Sequence, residues 1–358
     1  MAVRNELRCL IAAGGTAGHV LPALAVAEVL RASGVHVTFA GSPDHVEAQL
    51  VPEAGYELDT FRISGLPRRP GLAQLRALLL AGRAPVACAR ILAHRNPDVV
   101  LGAGGYVGAP MVLAARRKRI PAALTEADAH LGLANRLAAP FATRVFLAYD
   151  LQGRDAPKYR VTGRPLPSSS RPWEREEARA RYELPLDRPV LGIFGALAGA
   201  HSLNELALES FGSAGPPVLH VCGDRDYEAL RPLVRRDDYR LVPSERQFGA
   251  VLGAVDLAVS RAGGTVWELA AAGVPAVLVP YPHATANHQQ KNAEYFAWGG
   301  GAVVLPQTEL GGVPEVARSL LGDERRLAGM RESMLRLARP RAAEEIAEEL
   351  IALGRAHR

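Results

Sequence analysis

The feature that most restricts the fold is a repeated unit. A short, continuously apolar run ends in small residues, and a helix-like segment follows. CLIAA (residues 9–13) leads into GGTAGH (14–19) and a helix from about 22 to 32. DVVLG (98–102) leads into GAGGYVGAP (102–110) and MVLAARRK. PVLGIFG (189–195) leads into GALAGAH (195–201) and a helix from about 201. VHVTFA (35–40), PAALT, TRVFLA, YRVTG, PVLHVCG, YRLVP, DLAVS and AVLVP are further strands of the same kind. A strand that is apolar at every position is buried on both faces, which means parallel sheets covered by helices. The expected class is α/β. Sparse aromatics, 6% of residues, suit such layers better than a β-sandwich.

The alternation breaks once, at GRPLPSSSRP (163–172), a Pro- and Ser-rich stretch that reads as a linker. It then restarts. With 358 residues and 48% hydrophobic content, two domains of ordinary size are expected, with a cleft between them and ligands at the carboxyl ends of the strands. The tail from 323 to 353 reads as helical, broken near Pro340. Cys9, Cys88 and Cys222 are odd in number and widely spaced, which argues against a disulfide frame or zinc cluster. No secretory signal and no bilayer-length apolar run is visible, so the chain is expected to be soluble or peripheral.

Three glycine turns, at 14–19, 102–110 and 195–201, end a buried strand and open a helix. Glycine there lets backbone N–H groups approach a phosphate, and the helix dipole favours negative charge. None ends in the GK[ST] of a Walker A loop. None fits GxGxxG with an acid about 20 positions on, so ATP and NAD are disfavoured. The stretch 261–294, RAGGTVWELAAAGVPAVLVPYPHATANHQQKNAE, is the most informative. A small-residue turn opens a helix with Glu268 one turn in; a buried strand follows, and Asn287, His288, Gln289 and Gln290 open another helix. That order supplies amides for a diphosphate, a carboxylate for ribose hydroxyls and side-chain amides for a sugar: a nucleotide-sugar pocket.

These segments resemble one family. GGTAGHVLPALA, DVVLGAGGYVGAP, LGLANRLAAPFATRVFLA, VTGRP, LGIFGALAGAHSLNE and 261–294, with its NHQQKNA run, are similar in order and over nearly the whole length to the bacterial N-acetylglucosaminyltransferases of glycosyltransferase family 28 that convert lipid I to lipid II in peptidoglycan synthesis. The resemblance implies a GT-B fold, two Rossmann-like parallel-sheet domains facing across a cleft. It implies an acceptor- and membrane-binding domain over 1–163 and a UDP-sugar domain over 164–340, with a helix at about 341–358 packing back on the first. It further implies inverting transfer from UDP-N-acetylglucosamine to the C4 hydroxyl of lipid I, no cofactor and no essential metal, at the cytoplasmic face of the membrane.

The same resemblance assigns residues. Thr16, Ala17 and Gly18 match positions on the sugar and acceptor side, and Gly14, Gly15, Gly104, Gly105 and Tyr106 fall to the acceptor. Gly195, Leu197 and Gly199 form the third, donor-side turn. Gly263, Gly264, Thr265, Val266, Trp267 and Glu268 match the donor loop, with Glu268 on the ribose, and Arg261 just before it is a further donor-binding candidate. Gln289 and Gln290 match the glutamine pair near the sugar, and Asn292 follows. Three positions depart from the pattern. TEAD (125–128) stands where relatives have HEQN, so Asp128 replaces an Asn expected at the sugar. Leu197 replaces Ser, and Pro167 replaces a phosphate-contacting Arg, for which nearby Arg164 can substitute.

Transfer requires a base for the acceptor hydroxyl, charge stabilisation for departing UDP, and alignment of both substrates. His19 is the first candidate base, since imidazole titrates near neutral pH; the competing reading is a histidine that orders its loop. Asp128 is the second candidate, against an ordinary turn-forming Asp. Arg164 or Arg261 assists the leaving group. Glu268 in a first helical turn also satisfies the dipole without any ligand. Asp224-Arg225-Asp226 resembles a DxD metal motif, but a turn or helix cap is the simpler account, and no metal is expected.

Charge is uneven. From 61 to 120 the chain carries ten Arg and one Lys against Asp98 alone, whereas the whole chain is only +5. An anionic partner is expected; nucleic acid is not, because stacking aromatics are nearly absent from this segment. Arg68, Arg69, Arg76 and Arg83 interleave with Leu72, Leu75 and Leu79 in a helix-like run. An amphipathic helix packed on its sheet explains the leucines, and an interfacial patch on anionic lipid explains the arginines too. Alternatives within enzymes are a related UDP-sugar transferase with another lipid or natural-product acceptor, and a nucleotide-sugar epimerase. Outside them stands a non-catalytic UDP-sugar-binding paralogue.

Overall fold

The computed structural model describes residues 6–65, 71–195 and 199–358. The expectations for Arg68, Arg69 and Leu197 lie outside the described residues. The chain forms two compact units, Met1–Pro167 with Pro340–Arg358, and Ser168–Arg339.

The first unit holds seven parallel strands: β1 (Arg8–Ala12), β2 (His36–Gly41), β3 (Glu57–Thr60), β4 (Val99–Gly102), β5 (Ala122–Glu126), β6 (Arg144–Leu147) and β7 (Tyr159–Val161). Their order is β3-β2-β1-β4-β5-β6-β7. In β1, Cys9 and Ile11 enter one apolar cluster while Leu10 and Ala12 enter another. The period of two delivers successive side chains to opposite faces, and both faces are covered. One face is closed by helices Ala17–Ala32 and Ala342–His357, the latter contributing Ala343, Ile346, Ala347 and Leu350. Glu349 anchors that terminal helix to Arg144 at 2.7 Å and to Arg160 at 2.5 Å.

The second unit holds six: β8 (Leu191–Phe194), β9 (Val218–Val221), β10 (Tyr239–Val242), β11 (Leu257–Ser260), β12 (Ala276–Leu278) and β13 (Ala302–Val304). Their order is β10-β9-β8-β11-β12-β13, again parallel throughout. In each unit the strand order reverses beside the unit's first strand, between β1 and β4 and between β8 and β11. Ligands of open α/β sheets bind at such switch points, where the two following turns diverge.

One helix differs from expectation. It starts at Ala17 and carries Pro22 inside it, whereas the sequence pattern places its start at Pro22. An internal proline deprives the carbonyl four residues back of its N–H partner. That carbonyl is Gly18 O, and the guanidinium of buried Arg164 donates to it at 2.6 Å. A residue 146 positions away thus repairs the defect.

The terminal helix yields a stability expectation. Leu350 is fully buried in the first unit's core. Leu350→Ala should lower the stability of that unit by about 2–5 kcal/mol, the range for large-to-small core substitutions. Urea unfolding followed by circular dichroism reads it, and an unchanged midpoint would show that the helix is not integral to this core.

Candidate active site

All four small-residue turns fall at the two switch points. In the first unit, Gly14 and Gly15 follow β1, and Gly104 and Gly105 follow β4. The two turns touch. A Cβ on Gly105 would lie 2.7 Å from Gly14 O, and one on Gly104 would lie 2.6 Å from His19 Cδ2. Gly104 and Gly105 also have φ of +82° and +66°, which side chains disfavour. His19 is held between them, half-buried, its Nδ1 3.1 Å from the Thr16 hydroxyl. A histidine acting as base through Nε2 must carry its hydrogen on Nδ1, and Thr16 Oγ1 is placed to accept it. Tyr106 lays its ring on Gly15, where a Cβ would come within 3.0 Å, and its hydroxyl has no partner among the described residues. Burial pushes that phenol up to about 12.

Two carboxylates that the sequence does not single out organise this region. Glu47 is fully buried and accepts the N–H of Gly15 at 3.0 Å and that of Ser42 at 2.9 Å. The Gly15 amide, expected for an anion, is therefore already engaged. Glu126 is also buried; it accepts Gly132 N and Asn135 Nδ2, each at 2.9 Å, and Asp128 N at 3.3 Å. Burial pushes the Glu126 carboxyl up. Asp128 thus sits in a loop wrapped around a second acid, and a narrow cavity is lined by Gly18, His19, Thr125, Glu126 and Gly163. Arg164 lies beside it, occupied with Gly18 as described.

In the second unit, Gly195 follows β8, and Gly199 turns so closely that a Cβ would meet Cys222 O at 2.0 Å. Gly263 and Gly264 follow β11 and open helix Thr265–Ala271. Arg261 joins the two turns: one nitrogen donates to Ser202 Oγ at 2.8 Å on the helix after β8, another to Val279 O at 3.1 Å. Among the described residues a Cβ on Gly263 would meet nothing within 4 Å, so against them this turn is open where the others are packed. Glu268 accepts Ser170 Oγ at 2.5 Å. The side chains of Val266 and Trp267 are buried, Trp267 edge-on to Phe296, so those two residues can reach a ligand only through their backbone. Thr265 stays half-buried.

Gln289 Oε1 accepts Tyr281 N at 2.9 Å, tying the helix His288–Trp298 to the loop after β12. Gln290 donates to Glu294 at 2.9 Å, and buried Asn292 donates to Ala262 O at 3.2 Å, which fixes the Gly263 turn from below. Asp226 binds Arg225 Nε and Asn204 Nδ2, both at 2.9 Å, and Asp224 begins a helix. The expected cap is not what is found: both acids lie in the first turn of helix Asp224–Leu230, whose cap position is Gly223 and carries no side-chain cap hydrogen bond.

The basic helix spans Leu72–Arg95. Leu79 and Arg83 are exposed on it, joined by Val86, 56% exposed. Nothing is described for the side chains of Leu72, Leu75 and Arg76. Sequence reasoning misses Leu133, Leu137 and Phe141, which are exposed on and just after helix Leu133–Ala138. Both helices pack against helix Gly105–Arg117, so the two apolar rows share a side of the sheet. No helix among the described residues is long and apolar enough to cross a membrane.

Beneath the third turn lies His220, fully buried in β9. Asn204 gives its NH2 to Cys222 O and Asp226, so its oxygen faces His220 Nε2 at 2.9 Å; Nδ1 then accepts from Tyr239 OH at 2.8 Å. This fixes one neutral tautomer, and burial pushes the imidazole down to about 3. An unfolded histidine titrates near 6.5. Below that value the unfolded chain binds a proton that the native one refuses, so stability is full above about pH 6.5 and falls towards pH 3. Urea unfolding of the second unit should weaken by about 1.4 kcal/mol per pH unit below 6 from this residue. His220→Gln should remove that part of the slope; an unchanged slope would show that His220 is protonated when folded.

Comparison with known proteins agrees with this geometry. Residues 9–147 match the glycosyltransferase family 28 N-terminal domain and residues 190–346 its C-terminal domain. A UDP-N-acetylglucosamine–N-acetylmuramyl-(pentapeptide) pyrophosphoryl-undecaprenol N-acetylglucosamine transferase of Halorhodospira halophila is 39% identical, with 94% of this chain and 96% of that one covered. Its namesake from Halothermothrix orenii is 33% identical, with 93% and 95% covered. The crystal structure of Acinetobacter baumannii MurG superposes with a TM-score of 0.77 at 28% identity, covering 97% of this chain and 99% of that one. With two such sheets and matches of this extent, the chain belongs to glycosyltransferase family 28 and has the GT-B fold.

Proposed function

We propose that this protein transfers N-acetylglucosamine from UDP-N-acetylglucosamine to the C4 hydroxyl of the N-acetylmuramyl sugar of lipid I, with inversion, giving lipid II. The observation that carries the reading is the full-length identity to transferases named for this reaction, on a chain whose small-residue turns all fall at switch points. The donor belongs in the second unit. Its open Gly263 turn can present amides to the diphosphate, Arg261 supplies positive charge, and Glu268 supplies a carboxylate for the ribose. Gln289 and Gln290 stand near the sugar. The acceptor belongs at the first unit's paired turns, where His19, backed by Thr16, is the base and Asp128 the second candidate. The reading includes no resident metal, because turn amides and Arg261 can meet the leaving charge.

Incubation with radiolabelled UDP-N-acetylglucosamine and a short-chain lipid I analogue should transfer label, equally with EDTA present. His19→Ala should lower kcat by about 100-fold or more, the usual contribution of a general base. Glu268→Ala should act chiefly on donor KM. Label binding without transfer would favour a non-catalytic paralogue, and altered donor without acceptor an epimerase; transfer only to other acceptors would move the substrate assignment.

The same reading places the protein peripherally on an anionic membrane through Leu79, Arg83, Val86 and the Leu133–Phe141 row. Apolar anchors with flanking cations bind such surfaces, and salt weakens the ionic part. Sedimentation with vesicles containing phosphatidylglycerol should retain the protein, and Leu79→Glu with Leu137→Glu should release it. Equal retention of the double variant would place the contact elsewhere.

A further inference from the structure

The geometry points to Glu47 as a positioning residue for catalysis: we propose that its buried carboxylate clamps the first glycine turn and so holds the Thr16–His19 pair in its working arrangement. This rests on the transferase reading for its kinetic consequences, though not for its structural ones.

Glu47 is wholly buried at the start of helix Glu47–Glu53. One oxygen takes Ser42 N from the turn after β2, and the other takes Gly15 N from the turn after β1. It thereby ties together two adjacent strand ends. The fit is close on every side. A Cβ on Gly14 would lie 2.2 Å from Glu47 Oε1, and one on Gly41 would lie 2.7 Å from its Cγ. Both glycines leave room for this side chain. Thr16 is the next residue after Gly15, and its hydroxyl meets His19 Nδ1. The imidazole has no freedom to compensate for a moved turn, because Gly104 and Gly105 lie against its other side. A charged acceptor suits such a clamp. Hydrogen bonds from N–H to carboxylate are stronger than neutral ones, and a buried carboxylate with its donors removed is strongly disfavoured. The clamp therefore has one stable state, with both donors in place.

Glu47→Gln keeps the shape but can present an NH2 group to one of the two N–H donors, so one hydrogen bond is replaced by a clash of donors. Misplacement by about 1 Å at a catalytic group can lower a rate by about 100-fold. We expect Glu47→Gln to lower kcat at least tenfold with donor KM within twofold, since the donor is read as bound by the second unit. Val51→Ala, in the same helix and equally buried, is the control for lost stability. At matched loss of melting temperature it should retain kcat within threefold. Independent of activity, side-chain nitrogen NMR of His19, assigned against His19→Ala, should report one tautomer in the parent and exchange between two in Glu47→Gln. Glu47→Asp, which retains the charge but draws it back by about one bond length of 1.5 Å, should fall between and serves if the Gln variant does not fold. A parent-like kcat and tautomer in a folded Glu47 variant, or a kcat loss shared by Val51→Ala, would overturn the proposal. If the parent itself transfers no sugar, the transferase reading fails, while the nitrogen spectrum still judges the clamp.

Discussion

The placement of His19 depends on close approach of main chain at the strand ends, where glycine leaves the space a side chain would fill. At the β1/β4 switch point the two turns are so near that neither Gly104 nor Gly105 has room for a side chain against His19 and Gly14. At the β8 end the same holds between Gly199 and Cys222 O. Such proximity is possible only where Cβ is missing, and it fixes which main-chain groups face outward. The arrangement around His19 is thus a consequence of packing in the loops, and packing in the loops follows from a sheet order that brings the first and fourth strands of each unit side by side.

The two units tie their turns with different chemistry and between different strand ends, β1 to β2 in the first and β11 to β8 in the second. Under the first unit's turn the tie is a carboxylate, Glu47, which consumes a main-chain N–H. In the second unit the tie between the turns is a guanidinium, Arg261, bound through a hydroxyl and a carbonyl. The carboxylate is spent on two main-chain donors, whereas the guanidinium adds positive charge beside its turn.

The fold was legible because parallel strands buried on both faces write themselves as unbroken apolar runs, as in CLIAA and AVLVP. The positions of the turns were legible because glycine marks them. His19 stands out as a candidate by its place after the first glycine turn and its imidazole chemistry, and Glu268 and the glutamine pair by their order in 261–294 together with the family resemblance. What was hidden is whatever depends on partners distant in sequence. The helix at Ala17 could not be started correctly at the local level, because Pro22 is tolerated only through Arg164. Glu47 reads as an ordinary acid at a helix start, and Glu126 as a strand-end polar residue; nothing local says that each is buried under amides. Val266 and Trp267 sit inside the matching loop, yet their side chains serve the core.

Arg164 shows how such hidden ties join structure to chemistry. Its guanidinium is fixed by Gly18 O, the carbonyl that Pro22 leaves without a donor, and Gly18 directly precedes His19 in the chain. The proline therefore does more than interrupt a helix. It creates an acceptor in the first turn, that acceptor recruits a cation, and the cation holds the residue preceding His19. Glu47 holds the same short segment from the opposite side, through Gly15. The four residues from Gly15 to Gly18 are consequently gripped at both ends by buried charges of opposite sign, and His19 inherits its placement from that grip. A neutral pair of similar size could fill the space, but it would lack the directional hydrogen bonds that keep a flexible glycine-rich segment in one conformation.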